Sequence, residues 1–469
     1  MARIDTDLCV IGAGSGGLSV AAGAVQMGAR VVLVEGGRMG GDCLNYGCVP
    51  SKALIAAAKQ AQAMREAGRF GMKPVEPEID YGAVQDHVRG VIAAIAPHDS
   101  VERFEGLGAR VLRAYGRFVS PVEFEAGEAR IRARWFVIAT GSRPLVPPIP
   151  GLAGLPYLTN ETLWELRERP EHLLVVGGGP IGLEMAQAHR RLGARVTVLE
   201  ALRVLPRDDP EAAALVMARL RSEGVEIHEG AAVEAVSGGP GAVSVQAGGR
   251  RFVGSHLLLA TGRAPNATEL GLEVAGVEVG RSGVVVDAGL RTTNRRVFAI
   301  GDAAGGPQFT HVANYHAGIV IRNALFRLPA RVSAAHLPWV TFTDPELAQA
   351  GLTEAEARAT HGARLEILRF DFAGNDRAQA ERATEGFAKA MVAGGRPVGA
   401  TIVGAAAGEV IQTWALALSA RLRIGALAGM VSPYPTLGEI AKRAAGQYYV
   451  PRLFGSPAVK RLVRLLVRL

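Results

Sequence analysis

The pattern of the stretch from Gly12 to Glu35 recurs at the same spacing from Gly177 to Glu200, its ending almost letter for letter. Each copy opens on an apolar run, "DLCVIGAGSGG" or "LLVVGGGPIGLEMA", and closes on "GARVVLVE" or "GARVTVLE". The glycines fall as G-x-G-x-x-G: Gly12, Gly14 and Gly17 in one copy, Gly177, Gly179 and Gly182 in the other. The first glycine of such a unit makes a tight turn after a strand. The second lets backbone approach a pyrophosphate, and the third lets a helix pack closely on the strand. An acid ending the next strand, here Glu35 or Glu200, suits a ribose hydroxyl. A chain that carries this unit twice is constrained to two βαβ dinucleotide-binding units, each with a parallel sheet.

Four further segments add to the pair. Each fingerprint is echoed by an apolar strand ending in Ala-Thr-Gly, "WFVIATGSRP" with Thr140 and Gly141 and "HLLLATGRAPN" with Gly262. A third strand, "VFAIGDAAG", places Asp302 at its carboxyl end, where open α/β sheets put ligand-binding groups. The fourth is "GGDCLNYGCVPSKAL", with Cys43 and Cys48 five positions apart. Together these motifs resemble the class I pyridine nucleotide-disulfide oxidoreductases, the family of dihydrolipoamide dehydrogenase, glutathione reductase and mercuric reductase. The resemblance runs from about residue 6 to about residue 445.

The fold class that follows is α/β, with two Rossmann-like dinucleotide-binding domains and a C-terminal α+β dimerisation domain. The expected boundaries are 1–150 for an FAD-binding domain, 151–264 for an NAD(P)-binding domain, and 265–335 for a central region completing the FAD domain. An interface domain over 336–455 and a basic amphipathic tail over 456–469 complete the chain. The resemblance implies FAD at Gly12, Gly14, Gly17 and Glu35, with Gly116 of "AYGRF" by the adenine and Asp302 by the ribityl chain. Thr140, Gly141 and Gly262 join the cofactor-binding set in the same way. A nicotinamide nucleotide is implied at Gly177, Gly179, Gly182 and Glu200. Because the Glu200 carboxylate accepts from free ribose hydroxyls and repels a 2′-phosphate, NAD is favoured over NADP, although Arg203 follows closely.

Read from the residues alone, Cys43 and Cys48 could be two buried thiols, or two ligands of a metal whose set nothing nearby completes. Pro50 suits the first turn of a helix, so "VPSKALIAAAKQAQAM" is expected to start one with Cys48 at its N-terminal end. Unpaired N–H groups and the helix dipole stabilise a thiolate there. The resemblance implies a redox disulfide in which Cys43 exchanges with substrate and Cys48 faces the flavin, with Lys52 one turn on, paired with Glu184 near the flavin. Either charge could instead be a solvated face residue. Cys9 is expected to be inert core, and no metal site is expected.

Further on, "FTHVANYHAGIVIRNAL" reads as a helix behind the flavin site, where His311 either orients the cofactor or is a packed or capped histidine. The family's H-P-T-x-x-E motif, supplied by the partner subunit, is here "SPYPTLGE". Tyr434 stands at the histidine position and Glu439 at the glutamate. A tyrosine, with a pKa near about 10, is a poor base at neutral pH. Mercuric reductases share the tyrosine but carry a C-terminal cysteine pair, and this sequence has no cysteine after Cys48.

At 469 residues the chain is too long for one hydrophobic core, and 49% apolar with 20% charged residues is an ordinary soluble balance. Three cysteines and no apolar leader after Met1 lead us to expect a cytoplasmic protein. No uncharged apolar run of about 18 residues suggests a spanning helix. The net charge of +8 comes largely from scattered arginines, and aromatics are 6%, so nucleic acid is not an expected partner.

The tail "SPAVKRLVRLLVRL" should start a helix at Ser456 and Pro457, with Lys460, Arg461, Arg464 and Arg468 on one side. It could make a weak membrane-surface contact, or pack its apolar face on the interface domain or on the partner. The expected function is that of a homodimeric flavoprotein passing electrons between nicotinamide, FAD, the Cys43–Cys48 disulfide and a small thiol, disulfide or lipoyl-type substrate, as dihydrolipoamide dehydrogenase does. The alternatives are a mercuric-reductase-like or other metal-ion or quinone reductase, and a membrane-surface flavin-binding redox adaptor without efficient turnover.

Overall fold

The computed structural model describes residues 1–469. Its first sheet sets strands Arg110–Leu112, Val31–Val34, Ala2–Ile11 and Ala129–Ile138 side by side in parallel. Along its other edge Ala129–Ile138 has two partners. Its first half pairs antiparallel with Glu123–Ala126, and its second half pairs parallel with Val297–Ala299. Val297–Ala299, which leads to Asp302, thus joins the sheet of the first fingerprint. At Leu8–Ile11, Val31–Val34 and Phe136–Ile138 both faces are buried, one under the helix Ser15–Gln26 and its neighbour Thr310–Ala324, so these segments read as apolar runs.

The second sheet repeats the design with four parallel strands in the order Val225–His228, Arg195–Leu199, His172–Val176, His256–Leu259. The two copies agree to single hydrogen bonds. Gly12 N–H donates to Val34 O at 2.8 Å, and Gly177 N–H donates to Leu199 O at 2.9 Å. The third sheet is antiparallel, five strands in the order Pro338–Thr341, Glu346–Gly351, Arg396–Gly404, Phe387–Ala393, Leu365–Asp371. Helix Ala407–Ser419 buries Trp414 against it, giving the dimerisation unit its own core.

Two features of this architecture position the site. The helix Cys48–Arg65 packs Ala53, Leu54 and Ala58 into the same core as Leu183, Met185 and Ala186 of helix Pro180–Arg191, so the cysteine helix is seated on the helix of the second fingerprint. Just beyond the two Ala-Thr-Gly segments, Ser142–Pro144 and Arg263–Pro265 pair antiparallel, a short ribbon between the two nucleotide-binding units.

Candidate active site

Helix Cys48–Arg65 begins at Cys48 itself, two residues ahead of the proline expected to open it. Pro50 is accommodated because none of the first four N–H groups of a helix has an intrahelical acceptor. Cys43 lies on a short helix of its own, Gly41–Asn45, that the sequence reading did not anticipate. Both thiols are free, Cys48 exposed and Cys43 half-buried. Cys48 Sγ stands 3.5 Å from Thr310 Oγ1 at the start of helix Thr310–Ala324. A hydrogen bond from the Cys43 thiol holds Cys48 below the ordinary thiol range against the cost of burial, helped by the Thr310 hydroxyl and the charge of Lys52. The same bond, with burial, pushes Cys43 up. The two shifts run in opposite directions, favouring Cys48 as the thiolate and Cys43 as the thiol. Cys9 is fully buried, and burial raises its thiol.

Lys52 Nζ reaches Glu184 Oε2 at 2.7 Å, and Glu184 Oε1 accepts from the Phe342 N–H at 2.9 Å. Glu184 is buried, and Lys52 lies over the Phe342 ring, 4.4 Å from its centroid. Neither charge is a free surface residue, which removes the solvated-face alternative.

The fingerprint glycines divide by what a methyl group would meet. At Gly12 it would strike Ala139 O at 2.4 Å and at Gly17 it would strike Gly12 O at 1.9 Å. The second copy matches, with Gly177 against Ala260 O at 2.3 Å and Gly182 against Gly177 O at 2.0 Å. These four are demanded by the packing of helix on strand. Gly14 and Gly179 are not, since a methyl at Gly14 would have only Gly41 Cα at 3.9 Å and one at Gly179 nothing within 4 Å. Each caps a helix whose start carries no side-chain cap and no acid in its first turn. Open approach to an uncapped helix N-terminus is what a pyrophosphate requires, so the residues fit a dinucleotide at both places.

Both acids tie their loops together. Glu35 accepts from the N–H groups of Ala13 and Gly37, each at 2.6 Å. Glu200 accepts from Gly178 at 2.7 Å and Leu202 at 2.8 Å. Gly116 lies where strand Gly116–Ser120 crosses Glu125 O and the Phe124 ring, so its lack of a side chain is a packing requirement. Thr140 and Asn266 hold each other through two side-chain-to-backbone bonds of 2.6 and 3.0 Å. Gly141 and Gly262 flank the ribbon that joins the two units.

Asp302 accepts from the Ser142 hydroxyl, and burial pushes its carboxyl up. Arg263 spans from Asp42 Oδ1 at 3.1 Å to Asp302 Oδ2 at 3.7 Å. Thr310, Arg263, Asp42 and Ser142 were missed in the sequence. Only their nearness to recognised motifs could have drawn notice, because the contacts join residues far apart in the chain. His311 Nε2 lies 2.8 Å from Pro338 O, and its ring stacks on Phe309. His316 is buried, accepts from the Gly301 N–H at 3.2 Å, and is held neutral, its pKa pushed down to about 4 by burial.

Tyr434 and Glu439 stand apart from this cluster on the dimerisation unit. Tyr434 is 69% exposed, and its hydroxyl donates to Asp376 Oδ2 at 2.8 Å, which raises its pKa further. Glu439 is buried at the start of helix Glu439–Gly446. No hydrogen bond joins either residue to the cysteine pair of the same chain.

The pattern of the pyridine nucleotide-disulphide oxidoreductases matches residues 6–317, and that family's dimerisation domain matches residues 337–445. The chain belongs to this family. As a pyridine nucleotide-disulphide oxidoreductase it is a flavoprotein enzyme of the class that uses FAD and a nicotinamide nucleotide, and its dimerisation domain is the one through which the family forms homodimers. It is 38% identical over 455 residues to a mercuric reductase of Streptomyces lividans, covering 94% of this chain and 95% of that one. A dihydrolipoyl dehydrogenase of Geobacillus stearothermophilus is 35% identical over 455 residues, covering 94% and 96%. Among solved structures, an HOCl-induced flavoprotein disulfide reductase from Escherichia coli, studied as its Cu(II) complex, superposes with a TM-score of 0.85 at 28% identity, covering 94% of this chain and 99% of that chain.

Proposed function

We propose that this pyridine nucleotide-disulphide oxidoreductase is an NADH-linked cytoplasmic enzyme that exchanges electrons with a small thiol or disulfide of the dihydrolipoamide type. The asymmetry of the cysteine pair carries the reading. A Cys48 thiolate backed by Thr310 and Lys52, with Cys43 as the protonated partner, is what a two-electron dithiol relay requires. Gly12, Gly14, Gly17 and Glu35 with the helix start at Ser15 would hold FAD, together with Asp302, Thr140, Gly141 and Gly116. Gly177, Gly179, Gly182 and Glu200, with Gly262 nearby, would hold NAD. When bound, FAD supplies the two-electron link between nicotinamide and the cysteines.

The chain's own chemistry balances as thiol–disulfide exchange. Cys43, losing its proton, attacks one sulfur of a substrate disulfide and expels the other as a thiolate, which takes that proton. The Cys48 thiolate then attacks Cys43, forming the Cys43–Cys48 disulfide and releasing the second substrate thiolate, which is protonated from water. The cysteines are oxidised by two electrons and the substrate is reduced by two. Lys52, held by Glu184, keeps a positive charge beside Cys48. Tyr434 and Glu439, brought by the partner in a family homodimer, would face the substrate.

Tyr434 favours a second reading. A hydroxyl raised by Asp376 is a donor and not a base at neutral pH, so a metal ion, which needs no proton taken from it, suits the site as an acceptor. Purified holoenzyme assayed for NADH oxidation with lipoamide, glutathione disulfide, mercuric ion and a quinone separates the two. Turnover with lipoamide supports the first reading. Turnover with mercuric ion alone replaces it with the second.

A further inference from the structure

Residues 457–466 form a helix, with the Ser456 side chain accepting from the Val459 N–H at its start. On a helix of 3.6 residues per turn, Lys460, Arg461, Arg464 and Arg468 fall within one narrow arc. Val459, Leu462, Val463, Leu465, Leu466 and Leu469 cover the opposite, wider one. No residue of the helix is buried, which corrects the expectation that its apolar face packs on the interface unit of the same chain. Leu462 is 54% exposed, Leu466 56% and Leu469 96%. The matched dimerisation domain ends at residue 445, ahead of the helix.

Charge decides the occupant. No acid follows Glu439 in the sequence, and none of Lys460, Arg461, Arg464 and, just past the helix, Arg468 has a carboxylate partner within the chain. Leu453 and Phe454, also exposed, extend the apolar surface just ahead of Ser456. A segregated apolar face, bordered by unpaired cations and free of acids, suits a surface that is apolar in depth and anionic at its rim. We propose that helix Pro457–Leu466 docks the enzyme on an anionic lipid surface, lying in the plane of the interface with Leu462, Leu466 and Leu469 inserted and Lys460, Arg461, Arg464 and Arg468 at the headgroups.

One short helix with few cations gives reversible, salt-sensitive attachment. The test is co-sedimentation of the FAD-loaded full chain with phosphatidylcholine vesicles, with and without phosphatidylglycerol, at low and moderate salt, alongside light scattering for oligomeric state. The full chain should pellet with the anionic vesicles at low salt and be released by moderate salt. R461Q/R464Q should weaken partition by about thirtyfold, the scale of two cations near an anionic surface. Leu466→Glu should abolish binding, and so should truncation after Gly455, each with flavin content and oligomeric state unchanged. The proposal is overturned if the full chain stays in the supernatant, if it pellets equally with neutral vesicles, or if binding survives these changes. It is also overturned if truncation or Leu466→Glu dissociates the oligomer, since the helix would then be a partner-subunit contact.

Discussion

Lys52 Nζ stands 2.7 Å from the buried carboxylate of Glu184, tying the helix that starts at Cys48 to the helix that starts after the second fingerprint. The bond crosses from the unit of the first fingerprint to that of the second, so the charge beside the cysteine pair is held by the other nucleotide-binding unit. Removing Lys52 leaves Glu184 buried without its cation, with only the Phe342 N–H on the other oxygen. Lys52→Met should therefore destabilise the protein by about 1–2 kcal/mol at neutral pH, less than a fully buried pair because the lysine is partly solvated. Lys52→Met combined with Glu184→Gln should recover most of the loss. Thermal unfolding of the two variants checks this, and equal destabilisation in both would show that the charge is irrelevant.

The Cys48 thiol has its proton affinity lowered by bonds from Cys43 and Thr310. A lowered value means that the thiolate persists below the ordinary thiol range and is lost only as pH falls through the lowered value. In reduced enzyme, Thr310→Val should move the midpoint of thiolate formation upward by roughly one pH unit, the scale of one lost charge-assisted hydrogen bond. The pH dependence of alkylation measures it. A midpoint that does not move would mean that Thr310 is only a neighbour.

Spectroscopy tests the assignment of the two sulfurs. Holoenzyme reduced by NADH should show a long-wavelength absorbance from a thiolate against the flavin. Cys48→Ser should lose it and Cys43→Ser should retain it. The reverse pattern would exchange the two roles.

Both oxygens of Glu200 already accept loop N–H groups, Gly178 on one and Leu202 on the other. If this fixed carboxylate faces the nucleotide ribose, as proposed, it would repel a 2′-phosphate, and NADH should be preferred over NADPH by about 1–3 kcal/mol. Glu200→Ala should narrow the ratio of kcat/KM values. An unchanged ratio would place nucleotide selection elsewhere, with Arg203 the next residue to vary.

Tyr434 gives the substrate test. Tyr434→His should raise dihydrolipoamide oxidation at neutral pH roughly tenfold or more, since imidazole takes a thiol proton where a tyrosine bonded to Asp376 does not. No gain in a variant that folds and binds FAD would count against a dihydrolipoamide-type substrate.

The sequence by itself determined the two nucleotide-binding units, the cysteine pair, the helix start at Cys48 and the tail helix with its segregated faces. Each of these is local. A glycine turn, a cap such as Ser456 or a helical periodicity is dictated by backbone sterics and by neighbours within a few residues. Tertiary structure decided which atoms the fingerprint glycines meet, because Gly12 meets Ala139 and Gly177 meets Ala260 only once distant strands align. It also decided that Thr310 meets Cys48, that Arg263 links Asp42 to Asp302, and that Tyr434 bonds Asp376. Such contacts depend on how whole helices and sheets stack, and the stacking is set by the summed burial of many apolar side chains, which no single motif encodes.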